Sequence, residues 1–170
     1  MKISASIYSN KKKPLEELVR ELDAFGIDML HVDCVDDEKV FEDIARIRKI
    51  SSTPIDLHII SPAPEKYLEQ IKVHQIEYVS FQYEKLKSIL SVPQNTATKF
   101  GLSLVSDTDI SVFENATSDY SFVTIMTTVP GKSGGVFKKE NFQKIIEFKH
   151  RFPDKRIHVD GGVNDEIGFI

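Results

Sequence analysis

Seven short strand-like runs, separated by segments of helical period, constrain this chain more than any other feature. The runs cover residues 2–7, 29–34, 55–60, 78–82, 100–105, 122–127 and 157–160. After the first of them, Leu15, Leu18, Leu22 and Phe25 recur at helical spacing, and Gly26 follows as a helix stop. Further helices are predicted over 40–50, 64–74, 84–92, 109–116 and 139–151. Unbroken strand–helix alternation requires a parallel sheet with right-handed crossovers. An open doubly wound sheet and a closed barrel both meet that condition, so the strand faces must decide between them. Strands buried on both sides read as continuous apolar runs. Here one face carries Ser4 and Ser6, His31 and Asp33, Asp56 and His58, Ser80 and Gln82, Thr124 and Met126, and His158 and Asp160. The other carries Ile3, Val32, Leu57, Phe81, Ile125 and Val159. This pattern predicts an α/β fold of the TIM-type (β/α) barrel class, with helices packed outside and a polar interior open at the C-terminal ends of the strands.

The strand count qualifies that prediction. An eight-stranded barrel takes ~200 residues or more. This chain of 170 residues ends at the first turn of what reads as a seventh helix, beginning at Asn164. The expectation is a single barrel domain over 1–170, truncated after the seventh strand and lacking the final βα unit. An uncovered strand edge invites pairing, so a homo-oligomer is expected.

Composition narrows the classes of partner. With 41% hydrophobic and 28% charged residues the chain reads as globular, and a formal net charge of −4 gives no broad attraction for nucleic acid or an anionic membrane. The lysine run 11–13 reads as a solvated loop. No segment approaches the ~20 apolar residues of a membrane span, and Met1 leads directly into a strand without an apolar leader, so a cytoplasmic location is expected. The single cysteine, Cys34, has no internal partner and faces away from His31 and Asp33; it reads as a small buried hydrophobe.

Three strands carry His and Asp two residues apart: His31 and Asp33, Asp56 and His58, His158 and Asp160. Two imidazoles and two carboxylates converging on one polar face make a mixed nitrogen and oxygen site for one divalent metal ion, Zn²⁺, Fe²⁺ or Mn²⁺. Asp56 and His158 lie one layer deeper, where hydrogen bonding to ligands or interior packing is expected. After the sixth strand, the run Pro130-Gly131-Lys132-Ser133-Gly134-Gly135 lets glycine amides approach a phosphate closely. It is no nucleotide P-loop, because the glycine required five residues before Gly131 is Met126.

The runs 31–33, 54–58, 125–135 and 159–164, together with Ala5-Ser6-Ile7, resemble the ribulose-phosphate 3-epimerase family in order and over essentially the whole chain. The resemblance implies His31, Asp33, His58 and Asp160 as metal ligands, with Asp33 and Asp160 as catalytic base and acid. It further implies inversion of C3 in a ketose phosphate, interconverting D-ribulose 5-phosphate and D-xylulose 5-phosphate through an enediolate. Substrate contacts are implied at Ser6, His58, Met126, Gly131, Lys132, Ser133, Gly134, Asp160, Gly161 and Gly162. Several positions depart from the family pattern. Val35 and Ile60 replace methionines, Asp37 replaces a glycine, and Gln82 stands in place of a histidine. Lys132 and Ser133 stand where the family has an aromatic and a glycine. The loop 36–39 is short, and the eighth-strand phosphate site is absent. A six-carbon ketose phosphate substrate and a non-catalytic metal-binding or sugar-phosphate-binding relative remain open as alternatives. A decarboxylase-like relative is disfavoured, since no lysine stands between paired aspartates in 31–37.

Overall fold

The computed structural model describes residues 1–132 and 136–164. Seven strands, β1 (Ser4–Ser6), β2 (Met29–Cys34), β3 (Ile55–Ile59), β4 (Tyr78–Gln82), β5 (Lys99–Val105), β6 (Phe122–Met126) and β7 (Arg156–Asp160), form one parallel sheet in chain order. The sheet curls into an incomplete barrel, bringing Asp160 on β7 across to His31 on β2 at 3.7 Å. Helices α1 (Leu15–Ala24), α2 (Val40–Ile47), α3 (Leu68–Val73) and α4 (Glu140–Arg151) connect the strands. None of the described helices is long and apolar enough to cross a membrane.

The alternating pattern sorts the inner strands as expected, whereas Ile3 precedes β1 and is exposed rather than packed under a helix. Val32, Leu57, Val79, Leu102, Val123 and Ile125 point outward into a core completed by Val19, Ile44, Ile47, Ile71, Phe113 and Phe148. Burying each such side chain stabilises the fold by ~1.5–3 kcal/mol. Cys34 lies in this outer core, fully buried. Gly26 ends α1 with φ +71°, its amide donating to Asp23 O and the Ile27 amide to Leu22 O. A left-handed residue with such bonds caps the last carbonyls of a helix.

The deep end of the interior is filled by rings. His158 stacks on Phe122 with centroids 4.3 Å apart, and Tyr78 lies 6.0 Å from the same imidazole. Gly101 makes room for them, since a Cβ there would sit 2.2 Å from the Phe122 ring.

Two helical expectations are corrected. Segment 84–92 is not a helix; a single 3-10 turn, Tyr83–Lys85, is followed by irregular chain. Its serines and Pro93 disfavour a helix, and Tyr120 holds the Leu90 carbonyl by an external hydrogen bond of 2.9 Å. Residues Ile110–Ala116 are 3-10 rather than α-helical. The expected seventh helix lies outside the described residues beyond Asn164.

Candidate active site

In a parallel ladder, register decides which side chains become neighbours. His31 is paired with Asp56, and Asp33 with His58, so two imidazoles and two carboxylates form a block across β2 and β3 on the inner face. Strand β7 adds Asp160, and β4 adds Gln82.

Each imidazole has one nitrogen committed to a second residue. His31 Nδ1 bonds Asp56 Oδ2 at 3.0 Å, and the same oxygen accepts the Ser4 hydroxyl at 2.8 Å. His58 Nε2 bonds Gln82 Oε1 at 2.8 Å. The remaining nitrogens face one space. His58 Nδ1 lies 3.2 Å from Asp33 Oδ1. His31 Nε2 is buried without a hydrogen-bond partner, 3.4 Å from Asp33 Oδ1 and 3.7 Å from Asp160 Oδ2. A buried polar atom left unpaired costs ~1–3 kcal/mol, so this nitrogen is placed for a partner. Ligand atoms of His31, Asp33 and His58 lie within 4.8 Å of one another, a donor set suited to a divalent cation. The hydrogen bonds from His31 to Asp56 and from His58 to Gln82 are of the kind that orient metal-binding imidazoles.

Electrostatics follow from crowding. Burial alone would lower the His31 pKa, but the neighbouring Asp33, Asp56 and Asp160 carboxylates raise it well above the ordinary imidazole range. Burial would raise the pKa of Asp33, yet the adjacent His31 and His58 imidazoles hold it well below the usual carboxylate range. The His158 pKa is lowered, chiefly by burial. Exposure divides the roles: the His58 side chain is 1% exposed, whereas Asp33 and Asp160 are 21% and 33% exposed and reach the mouth. The imidazoles are sealed in, and the carboxylates can meet a substrate.

Of the other expected residues, Ser6 and Met126 lie beside this site in register, whereas the cleft of Lys132 includes none of the proposed ligands. Ser6 is half-buried on β1 beside His31 in register, and Met126 is buried beside Asp160. Gly131, at φ +72°, crosses over β2 and β3; a Cβ there would meet Val35 at 2.9 Å and Ile60 at 3.2 Å. Exposed Lys132 lines a cleft of about 530 Å³ with Ser106, Thr127, Thr128 and Lys138. Ser133 and Gly134 lie outside the described residues. Gly161 and Gly162 have φ of +101° and +62°, and a Cβ on Gly161 would lie 2.1 Å from Thr128 Oγ1. In the sequence Gln82 falls on the inner polar face and departs from the family pattern, but its bond to His58 and the part of Glu84 are not apparent there. Their spacing of two at the end of β4, beside the His58 strand, was the available signal.

The profile of the ribulose-phosphate 3 epimerase family matches residues 2–168. Ribulose-phosphate 3-epimerase of Bacillus subtilis is 26% identical over 180 residues, covering 98% of this chain and 83% of that protein. The enzyme of the same name from Methanocaldococcus jannaschii is 27% identical over 179 residues, covering 98% and 76%. In three dimensions, phosphoribosyl anthranilate isomerase from Thermus thermophilus superposes with a TM-score of 0.67 at 11% identity, covering 98% of this chain and 79% of that one, a likeness of fold alone. With the profile spanning nearly the entire sequence, this chain belongs to the ribulose-phosphate 3 epimerase family.

Proposed function

We propose that this protein is a metal-dependent epimerase inverting C3 of a ketose phosphate, with D-ribulose 5-phosphate and D-xylulose 5-phosphate as the pair. The observation that carries the reading is the buried, unpartnered His31 Nε2 facing Asp33 and Asp160 beside His58 Nδ1. His31, Asp33, His58 and Asp160 would hold one Zn²⁺, Fe²⁺ or Mn²⁺. When bound, such a cation raises the acidity of the C3 proton by offsetting the negative charge that develops as it leaves.

The chain supplies the proton transfers. One of Asp33 and Asp160 takes the C3 proton, and the electron pair of the broken C–H bond moves toward the C2 carbonyl oxygen to give a planar enediolate. The other carboxyl delivers a proton to the opposite face of C3, and the electron pair returns to form the new C–H bond. Positions on different strands, both reaching the mouth, suit this division. Ser6 and Met126 line the sugar, while Lys132 and the amides around Gly131, Gly161 and Gly162 hold the phosphate. Ser133 and Gly134, next in sequence, are proposed to contact the same phosphate.

Incubating Zn²⁺-loaded protein with D-ribulose 5-phosphate in D₂O, and following deuterium at C3 by NMR, tests the reading. Exchange is expected in the parent and absent in Asp33→Asn. A parent that binds Zn²⁺ yet exchanges nothing overturns it.

A further inference from the structure

A glutamine amide has nearly the same shape in either orientation, so its neighbours determine which end is oxygen. One end of the buried Gln82 amide faces two acceptors, Glu84 Oε2 and, at 3.3 Å, the Ser103 carbonyl. Neither can donate as placed, so that end is the NH₂. The other end is therefore the carbonyl oxygen, and it lies 2.8 Å from His58 Nε2. An acceptor at that distance requires the Nε2 proton. A neutral imidazole carries one such proton, which leaves Nδ1 with its lone pair 3.2 Å from Asp33 Oδ1.

Glu84 is itself held. Its Oε1 accepts the Val105 amide at 3.0 Å and the Thr108 hydroxyl, leaving Oε2 for Gln82. The arrangement opposes a competing one. Asp33 would attract a proton on His58 Nδ1, but Nε2 would then bear a lone pair against the Gln82 oxygen. Relieving that clash by turning the amide would press the oxygen against the Glu84 carboxylate. Burial of His58 and Gln82 keeps water from mediating the first conflict, and in the second the exposed Glu84 carboxylate is held in place by Val105 and Thr108.

We infer that Glu84 is a positioning residue: acting through Gln82, it fixes His58 in the Nε2–H tautomer and presents Nδ1 to a cation held with Asp33 and His31. This rests on the metal-site reading for its purpose, and on hydrogen-bond chemistry alone for its geometry. Glu84 touches none of the proposed ligands directly.

The test uses the full chain, labelled with ¹⁵N-histidine and free of metal, in mildly alkaline buffer. Long-range ¹H–¹⁵N correlation should show a pyridine-type Nδ1 and a pyrrole-type Nε2 for His58. Glu84→Gln, which can donate as well as accept, should let the Gln82 amide turn and give mixed or reversed tautomers. Competition titration with a chelator should show Zn²⁺ bound at least ~10-fold more weakly by this variant. Gln82→Met keeps the Glu84 bonds to Val105 and Thr108 and should show the same two changes. Adding Glu84→Gln to it should change neither further, because the effects pass through one amide. Retention of the Nε2–H tautomer with unchanged Zn²⁺ affinity in either single variant, or losses that simply add, overturns the inference. The tautomer is read without metal, so the two failures separate: a parent that binds no Zn²⁺ sinks the metal reading, whereas a reversed tautomer in the parent sinks this one.

Discussion

Gly101 has no side chain because Phe122 occupies the place where one would be. A Cβ 2.2 Å from an aromatic ring cannot be absorbed by small shifts, since Phe122 is already stacked on His158. Gly101→Ala should destabilise the protein by ~1–3 kcal/mol in urea denaturation. A smaller residue opposite, as in Gly101→Ala with Phe122→Leu, should recover part of the loss. A single variant as stable as the parent would show that the ring is free to move. Asp36 offers a second test at this scale. It accepts hydrogen bonds from Ser61 and Tyr67 and an ion pair from Lys66, which together hold its pKa at about 2. The folded-state value lies below the ordinary one, so its stabilisation is complete above the ordinary carboxylate pKa and is lost as pH falls toward about 2. Asp36→Asn should flatten stability against pH in that window, and an unchanged acid limb would contradict the assignment.

At the scale of elements, the loop after β5 is held by side chains from elsewhere. The Lys144 ammonium from α4 donates to the carbonyls of Val105, Ser106 and Thr108, while Asn141 donates to the Ser106 hydroxyl. Lys144→Met should cost on the order of 1–3 kcal/mol by leaving these acceptors short of a donor. It should also speed hydrogen exchange at 106–108 relative to the strands. Unchanged exchange would mean that Asn141 and Glu84 pin the loop without Lys144. The legibility of the elements has a physical pattern. Strands were readable because an apolar outer face and a polar inner face alternate with period two, as at His31-Val32-Asp33. The segment 84–92 misled because its apolar residues keep a helical spacing while serving another purpose. Leu86, Ile89 and Leu90 pack against the core from irregular chain. The candidate ligands stood out for the same reason as the strands, since histidine on an otherwise sheltered face is uncommon. Glu84 did not, because a glutamate beyond a strand end looks like any surface carboxylate until its three partners are known.

For the whole molecule, the proposed ligands come from β2, β3 and β7, two adjacent strands near one end of the sheet and the strand at the other. Among the described residues no ladder joins β7 to β1, so side chains must bridge the curled sheet at this mouth. The bridge places His31 among Asp33, Asp56 and Asp160, with Asp160 the most distant at 3.7 Å. A cation held by His31, Asp33, His58 and Asp160 would tie the two ends together only in the folded chain. Ligands that bind only the native state stabilise it by mass action, by about 2.7 kcal/mol at a hundredfold excess over Kd. For a chain of this size each kcal/mol moves the melting midpoint by roughly 2–4 °C. Saturating Zn²⁺ should therefore raise Tm by roughly 5–10 °C in calorimetry, and a chelator should reverse the rise. His58→Ala, which removes a buried ligand without touching β7, should lower the starting Tm and abolish most of the increment. An equal increment in that variant would place the stabilising ion elsewhere on the molecule. No increment in the parent would leave the two ends of the sheet joined by hydrogen bonds and packing alone.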